Sequence, residues 1–358
     1  MTWTITIADG DPQAVPAEDG ETLLDALLRH GVGFAYSCQA GNCGTCKCEY
    51  VAGEIQELEY SEHALSAAER ERGIILACRS QVWGDVEIHR LSAEEFVMHP
   101  SRVMQCRVIE LCFVTHDVLR LRLAIESGGP FTFSAGQFAK LQFAFAADTP
   151  RDYSMANRPD EPVLEFHIRC IEGGVSGKIP DRLKIGDLVR VSGPFGTSYL
   201  REQHAGPIIA IAGGTGLAPI RSIFATALHK MLGRPLHLYF GVRAERDVYA
   251  EAELRTWQAQ HPNLEVHVVL SDEVAPDGAA RGAEGLRGAH RPRRYGLVTD
   301  AVRADFPHFQ GCQAYLAGPP AMVDAATELL SAGGIPARDI HADAFYSAAD
   351  PAAARIPA

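Results

Sequence analysis

The stretch "YSCQAGNCGTCKC", residues 36–48, decides how the N-terminal third of the chain is read. Cys38, Cys43 and Cys46 are spaced C-x4-C-x2-C, and Cys78 follows later in "ILACRS". This is the plant-type ligand spacing of a [2Fe–2S] cluster. Four thiolates must converge on one compact group, and three of them on a single wrapped loop lose little entropy in doing so. Gly41 and Gly44 let the loop curl and turn its amides toward the sulfurs. Zinc is the rival, because Cys43-x2-Cys46 alone is half of a zinc site, but Cys78 has no second close cysteine to complete a ribbon. Cys48 falls outside the ligand pattern and is assigned to packing. Cys106, Cys112, Cys170 and Cys312 are read as buried free cysteines.

The 358 residues exceed one ordinary domain, so two or three are expected. Nearly half are apolar, which suits globular domains with real cores. Residues 1–100 hold 17 Asp/Glu against 6 Lys/Arg, a net of −11, and the remainder holds 28 against 27, a net of −1. An acidic segment is thus joined to a nearly neutral body. This argues against nucleic acid as a partner and fits a partner with a basic docking face. No apolar run is long enough to span a bilayer, so no membrane role is expected. The start, "MTWTITIADGDP", lacks the regions of a signal peptide, and the expected location is cytoplasmic, where a cysteine cluster binds metal or does redox chemistry.

Further along, the texture changes twice. "TWTITI" alternates like a strand, and "GETLLDALLRHG" reads as a short amphipathic helix stopped at Gly31. Residues 1–92 form a small α+β unit, and 93–101 a linker. From 102 to 204 strand signals recur closely. In "LEFHIRC" the apolar Leu164, Phe166, Ile168 and Cys170 alternate with Glu165, His167 and Arg169, as in one-sided antiparallel strands. An antiparallel β-barrel is expected. From 205 to 346 apolar strands alternate with helices, the pattern of a doubly wound parallel sheet. Residues 274–294 read as a long loop, and 347–358 as a tail.

Residues 1–92, with "SCQAGNCGTC…LAC", resemble a plant-type ferredoxin domain of the β-grasp fold, which implies Cys38, Cys43, Cys46 and Cys78 as cluster ligands. "RDYSMAN" (151–157) resembles the flavin motif of the ferredoxin–NADP reductase superfamily. Arg151 suits a flavin phosphate, Tyr153 a ring to cover the isoalloxazine, and Ser154 a donor to a ring nitrogen. The resemblance extends to "FHIRCIEGGVSGKIPDRL", and implies His167, Ile168, Gly174, Val175 and Ser176 as FAD contacts, with the glycine turn suited to pyrophosphate. "GPFGTSYLR" resembles the segment that closes the flavin barrel, and the family favours FAD over FMN. "IAGGTGLAPIRS" (211–222) resembles the nicotinamide-site loop, which implies Gly213, Gly214, Thr215 and Gly216 as contacts. Pro219 stands where a Rossmann loop has its third glycine. "YLAGPPAMVDAA" resembles the second nicotinamide signature, implying Gly318 and Pro319, but Ala317 replaces the usual cysteine. "HADAFY" resembles the C-terminal segment that lays an aromatic ring near flavin, with Phe345 the candidate and Tyr346 the alternate. Asp272 and Glu273 disfavour an extra phosphate, so NADH is expected, with Arg243 and Arg246 counting the other way.

The order of the three parts resembles the reductases of bacterial ring-hydroxylating dioxygenases. It implies an oxidoreductase that passes electrons from NADH through FAD and a [2Fe–2S] cluster, singly, to a Rieske ferredoxin or the terminal oxygenase. No side chain is assigned as acid, base or nucleophile. The chain lacks a C-x-H Rieske motif and paired Glu-x-x-His motifs, so the oxygenase is another protein. Two alternatives stand beside this reading: a reductase for a di-iron monooxygenase of the phenol or methane type, and a non-catalytic zinc-binding adaptor.

Overall fold

The structure, a computed structural model, describes residues 1–9, 12–62, 64–91, 97–274 and 292–346. Residues 93–96 of the expected linker, most of the expected loop at 274–294 and the whole tail lie outside the described residues. The chain forms two compact units, one running to Met98 and including Tyr346, the other spanning His99–Phe345.

In the first unit, strands β1 (Thr2–Ile7), β2 (Gln13–Glu18), β3 (Lys47–Glu57), β4 (Ile74–Leu76) and β5 (Ser80–Arg90) form one sheet in the order β2-β1-β5-β3-β4. β1 and β5 run parallel and the other pairs antiparallel. Helix α1 (Leu23–Arg29) starts at Thr22, whose hydroxyl accepts from the Asp25 amide. It ends in a Schellman turn, with Gly31 N–H donating to Leu28 and Val32 N–H to Leu27. Leu23, Leu24 and Leu27 are almost fully buried, each contributing roughly 1.5–3 kcal/mol. The short α2 (Ala67–Glu71) opens with a Ser66–Glu69 capping box. β2, "QAVPAE", carries Pro16 and lies at the sheet edge, where a missing N–H is tolerated; its proline hid it from a periodicity reading.

The second unit holds two sheets. β6 (Arg102–Phe113), β7 (Val118–Ser127), β8 (Phe138–Gln142), β9 (Arg151–Ser154), β10 (Val163–Arg169) and β11 (Leu188–Phe195) form an antiparallel sheet in the order β10-β7-β6-β11-β8-β9. A bridge between Met155 and Phe166 brings the two edges together, so the barrel nearly closes. Its interior is filled by Met104, Cys106, Val108, Leu121, Leu123, Phe166, Val189 and Val191, none exposed. After β10 come a 3-10 turn, Ser176–Lys178, and the one-turn α3 (Ile179–Arg182).

Next, β12 (Ile208–Gly213), α4 (Leu217–His229), β13 (Leu236–Val242), α5 (Glu251–Gln260), β14 (Leu264–Leu270), β15 (Arg294–Tyr295), α6 (Val298–Asp305), β16 (Gln313–Gly318), α7 (Pro320–Ala332) and β17 (Ile340–Ala344) build a parallel sheet in the order β15-β14-β13-β12-β16-β17. β12 and β16 are buried along their whole length, which is why they read as unbroken apolar runs. The strand order reverses between β12 and β16, a topological switch point where ligands of such sheets bind.

Two sequence expectations need correction. Cys112 and Cys170 are only partly buried, while Cys106 and Cys312 are buried as expected. His167, expected on the outer polar face of β10, is 7 % exposed, because the parallel-sheet lobe covers that face.

Candidate functional site

The cysteine loop holds its shape through positive backbone angles at Gln39, Gly41 and Gly44. At Gly44, with φ near +69°, a Cβ would also meet the Ala64 carbonyl oxygen at 2.6 Å, so only glycine fits. The curl aims the amides of Ala40 and Asn42 at Cys38 Sγ, both at 3.4 Å. Cys78 lies on a short 3-10 turn tied to the loop by Ala77 N–H donating to the Cys46 carbonyl at 3.0 Å. Cys46 Sγ and Cys78 Sγ are 3.2 Å apart, and Cys38 and Cys43 hydrogen-bond each other. Within each pair the shared hydrogen bond dominates. It lowers Cys43 to about 6 and raises Cys38; likewise it lowers Cys46 and raises Cys78. All four predicted cysteines are therefore brought together on one set of elements. A donor set of four thiols, with amides turned toward sulfur, fits an anionic iron–sulfur cluster. Cys48 is fully buried and outside the group.

In the barrel, β9 presents the three residues of the expected flavin motif. Arg151 is exposed and donates to its neighbour's carbonyl. Tyr153 is half-buried, and burial pushes its phenol up. Ser154 is buried and donates to Asp343 Oδ2 at 3.3 Å. His167 and Ile168 are buried on β10. The Gly174–Ser176 turn follows, with Ser176 Oγ accepting from the Ile171 amide. Phe345 is half-buried, packs against the core of the parallel sheet and donates its amide to the Gly318 carbonyl at 2.8 Å. Tyr346 belongs to the first unit and donates to the Asn42 carbonyl.

The glycine loop sits at the switch point. Gly213 ends β12, Gly214–Gly216 form a 3-10 turn, and α4 follows directly. At Gly216 a Cβ would lie 2.0 Å from the Ala317 carbonyl oxygen, so the turn and the end of β16 approach as closely as backbones can. Thr215, Gly318 and Pro319 lie on the same two strand ends. Asp272 stands exposed just after β14, its carboxylate accepting from Ser271 and its amide donating to the Arg243 carbonyl. Glu273 accepts from the Glu245 amide.

Sequence reasoning missed Asp343, Tyr249 and Arg221. Asp343 pairs beside Ala317 in the sheet; a lone acid between apolar neighbours in "HADAFY" was the available signal. Arg221 chelates Glu253 at 2.8 and 2.7 Å and donates to the Ala156 carbonyl at 2.6 Å. Ser222 donates to the Asn157 carbonyl at 2.6 Å. Together they fasten α4 to the turn between β9 and β10.

A sheet with four convergent thiols, a near-closed barrel and a doubly wound sheet with a glycine turn at its switch point define an iron–sulfur flavoprotein of the nicotinamide-dependent reductase class. Family models match all three parts: a 2Fe-2S iron-sulfur cluster binding domain over residues 6–82, an oxidoreductase FAD-binding domain over 105–199 and an oxidoreductase NAD-binding domain over 210–328. The chain is 41 % identical to the ferredoxin–NAD(P)+ reductase component of the naphthalene 1,2-dioxygenase/salicylate 5-hydroxylase systems of Ralstonia sp., covering 92 % of this chain and 95 % of that one. It is 37 % identical to the reductase subunit of aromatic O-demethylase from Amycolatopsis, covering 97 % and 100 %. Among solved structures it resembles the Amycolatopsis cytochrome P450 reductase GcoB, with a TM-score of 0.79 at 36 % identity over 97 % of this chain and 100 % of that one. The chain belongs to the ferredoxin–NAD(P)+ reductase components, the family of the naphthalene dioxygenase reductase. It is an oxidoreductase that works with a [2Fe–2S] cluster, FAD and a nicotinamide nucleotide, and the zinc-adaptor alternative is set aside. Among the described residues no helix is long and apolar enough to cross a membrane.

Proposed function

We propose that this chain takes electrons from NADH and delivers them singly to a Rieske ferredoxin or the terminal oxygenase of an aromatic ring-hydroxylating system. When bound, FAD supplies hydride acceptance and the cluster one-electron transfer. Residues 1–92 form the ferredoxin part, 102–204 the FAD barrel and 205–346 the NAD part. Cys38, Cys43, Cys46 and Cys78 hold the cluster. Arg151, Tyr153, Ser154, His167, Ile168, Gly174, Val175, Ser176 and Phe345 hold FAD. Gly213–Gly216 with Gly318 and Pro319 hold the nucleotide, and Asp272 selects against a 2′-phosphate.

The observation that carries this reading is the Ser154–Asp343 hydrogen bond. It draws the end of the flavin-motif strand against β17, beside the strand whose end carries Gly318, so the hydride donor and acceptor sites share one wall. The chain's own residues bind, orient and exclude water; Asp343 accepts the Ser154 hydrogen bond, so the hydroxyl presents its lone pairs at that wall rather than the donor expected from the sequence.

The expected charge pattern favours docking through the acidic first hundred residues. The family also contains a phenol 2-monooxygenase reductase component from Pseudomonas, 34 % identical over 98 % of this chain, and the GcoB likeness points to a P450 acceptor; these support a second reading in which the oxygenase is of another class. The test is an anaerobic titration with NADH, followed by reconstitution with a Rieske ferredoxin, a di-iron hydroxylase and a P450. Uptake of about three electrons per chain, two for FAD and one for the cluster, with turnover fastest on the Rieske ferredoxin, is expected. A flavin left oxidised by NADH would overturn the proposal.

A further inference from the structure

The hydroxyl of Tyr249 has two acceptors and one proton. It lies 3.2 Å from His167 Nδ1 and 3.4 Å from the Gly214 carbonyl oxygen. His167 belongs to the barrel strand β10, and Gly214 to the glycine turn after β12. Tyr249 thus touches the segments assigned to FAD and to the nicotinamide nucleotide at once, and is itself 5 % exposed.

The direction of the hydrogen bonds follows from the third partner. His167 Nε2 sits 3.1 Å from Glu165 Oε1. Burial pushes Glu165 up, but His167, Arg221 and Arg120 outweigh it and hold the carboxyl at about 2. An ionised carboxylate only accepts, so Nε2 carries the proton and the neutral ring offers Nδ1 as acceptor. Tyr249 then donates to His167 through the shorter arm of a three-centre bond, whose longer arm reaches the Gly214 carbonyl. The charged groups around the ring are Glu165, Arg221 and Glu253, and burial is what chiefly keeps the imidazole neutral.

The backbone beside this contact is strained. Ala250 adopts φ +56°, a left-handed conformation that costs a residue with a Cβ about 1–2 kcal/mol. Strain of this kind persists where surroundings over-determine it, often at functional sites. The Tyr249 ring meets His167 edge-on at 5.2 Å and Phe240 edge-on at 5.6 Å, so its rotamer is set on two sides. Arg221 and Ser222 fix α4 to the β9–β10 turn, while the Gly214 carbonyl accepts from the Leu217 amide within its own turn and from Tyr249 outside it.

We propose that Tyr249 is a positioning residue for hydride transfer: clamped by His167, it holds the Gly214 turn in register with β10 and so sets how the nicotinamide nucleotide approaches the flavin. The inference rests on the functional reading above, in which those two segments bind the two cofactors.

The test is Tyr249→Phe in the full-length holoprotein. The rate of flavin reduction at saturating NADH, read per bound FAD by anaerobic stopped flow, is expected to fall about tenfold, with FAD content unchanged. The isotope effect with deuterated NADH should rise, and NAD+ affinity by calorimetry should change less than the rate. Independently of activity, imidazole nitrogen NMR should show His167 as the Nε2–H tautomer, with an Nδ1 resonance that moves in the variant. Val302→Ala opens a cavity in the core under α6, away from both segments, and should lower Tm while leaving the rate per FAD as in the parent. An unchanged rate in Tyr249→Phe, an equal fall in Val302→Ala, or a proton on Nδ1 would overturn the proposal. If wild-type flavin ignores NADH, the functional reading itself fails. Equal rates in wild type and Tyr249→Phe would leave that reading standing and remove only the role of Tyr249.

Discussion

Ser154 and Asp343, 189 positions apart in the chain, meet through a 3.3 Å hydrogen bond in which the buried hydroxyl donates to the buried carboxylate. One residue ends the barrel strand β9 and the other lies on β17, paired with Ala317. The contact is long-range and polar, and buried polar groups cost free energy unless partnered. Barrel and parallel sheet are therefore matched at this point by chemistry as well as by shape.

Ser154→Ala takes one donor from that carboxylate. A loss of about 1–3 kcal/mol is expected, lowering Tm by several degrees, together with slower flavin reduction per bound FAD. Calorimetry and stopped flow check both. An unchanged Tm and rate would mean the pair is neither structural nor functional.

Cys78→Ala removes one thiol of the convergent set. The iron–sulfur absorption should vanish while FAD and NADH-to-dye turnover persist, and transfer to a protein acceptor should drop more than tenfold. Retention of the cluster bands would take Cys78 out of the ligand set.

Gly216→Ala drives a Cβ to 2.0 Å from the Ala317 carbonyl oxygen. The turn must shift, so KM for NADH should rise about tenfold or more, a loss of at least ~1.4 kcal/mol in binding, with FAD content near normal. Parallel titration with NADPH separates loop geometry from the selection exerted by Asp272.

His341 is stacked on Tyr315 at 5.0 Å and hydrogen-bonded to Gln313 at 3.1 Å. Burial, aided by the charges of Arg201 and His204, lowers it from 6.5 to about 3. The folded state keeps the ring neutral while the unfolded state takes up a proton below pH 6.5. Its contribution is therefore full above pH 6.5 and falls as pH drops from 6.5 toward 3, by up to about 1.4 kcal/mol per pH unit. Denaturant midpoints at pH 7.5 and 5.5 should diverge in wild type by more than in His341→Gln.

Electrons leave the chain through a partner, and the first hundred residues carry a net charge of −11. Raising salt from 50 to 500 mM should slow reduction of a protein acceptor several-fold by screening the encounter, and spare reduction of a neutral dye. Equal responses would remove the acidic face as the docking site.

The sequence by itself determined the three-part order, because each part writes a different period. Alternation marks the barrel strands, unbroken apolar runs mark β12 and β16, and the C-x4-C-x2-C spacing with Cys78 marks the metal loop. Local chemistry also placed Gly44 and the 213–216 turn, where only a missing Cβ allows the backbone path. What the tertiary structure decided is which surfaces cover one another. The period of β10 puts His167 outward, yet the parallel sheet buries it under Tyr249. Asp343 and Arg221 gain their partners only when segments tens to hundreds of residues apart are packed together. A lone acid such as Asp343 among apolar neighbours can mark itself, but its partner has no local signature, since a buried ion or hydrogen bond is a property of two distant segments and of the water their packing expels.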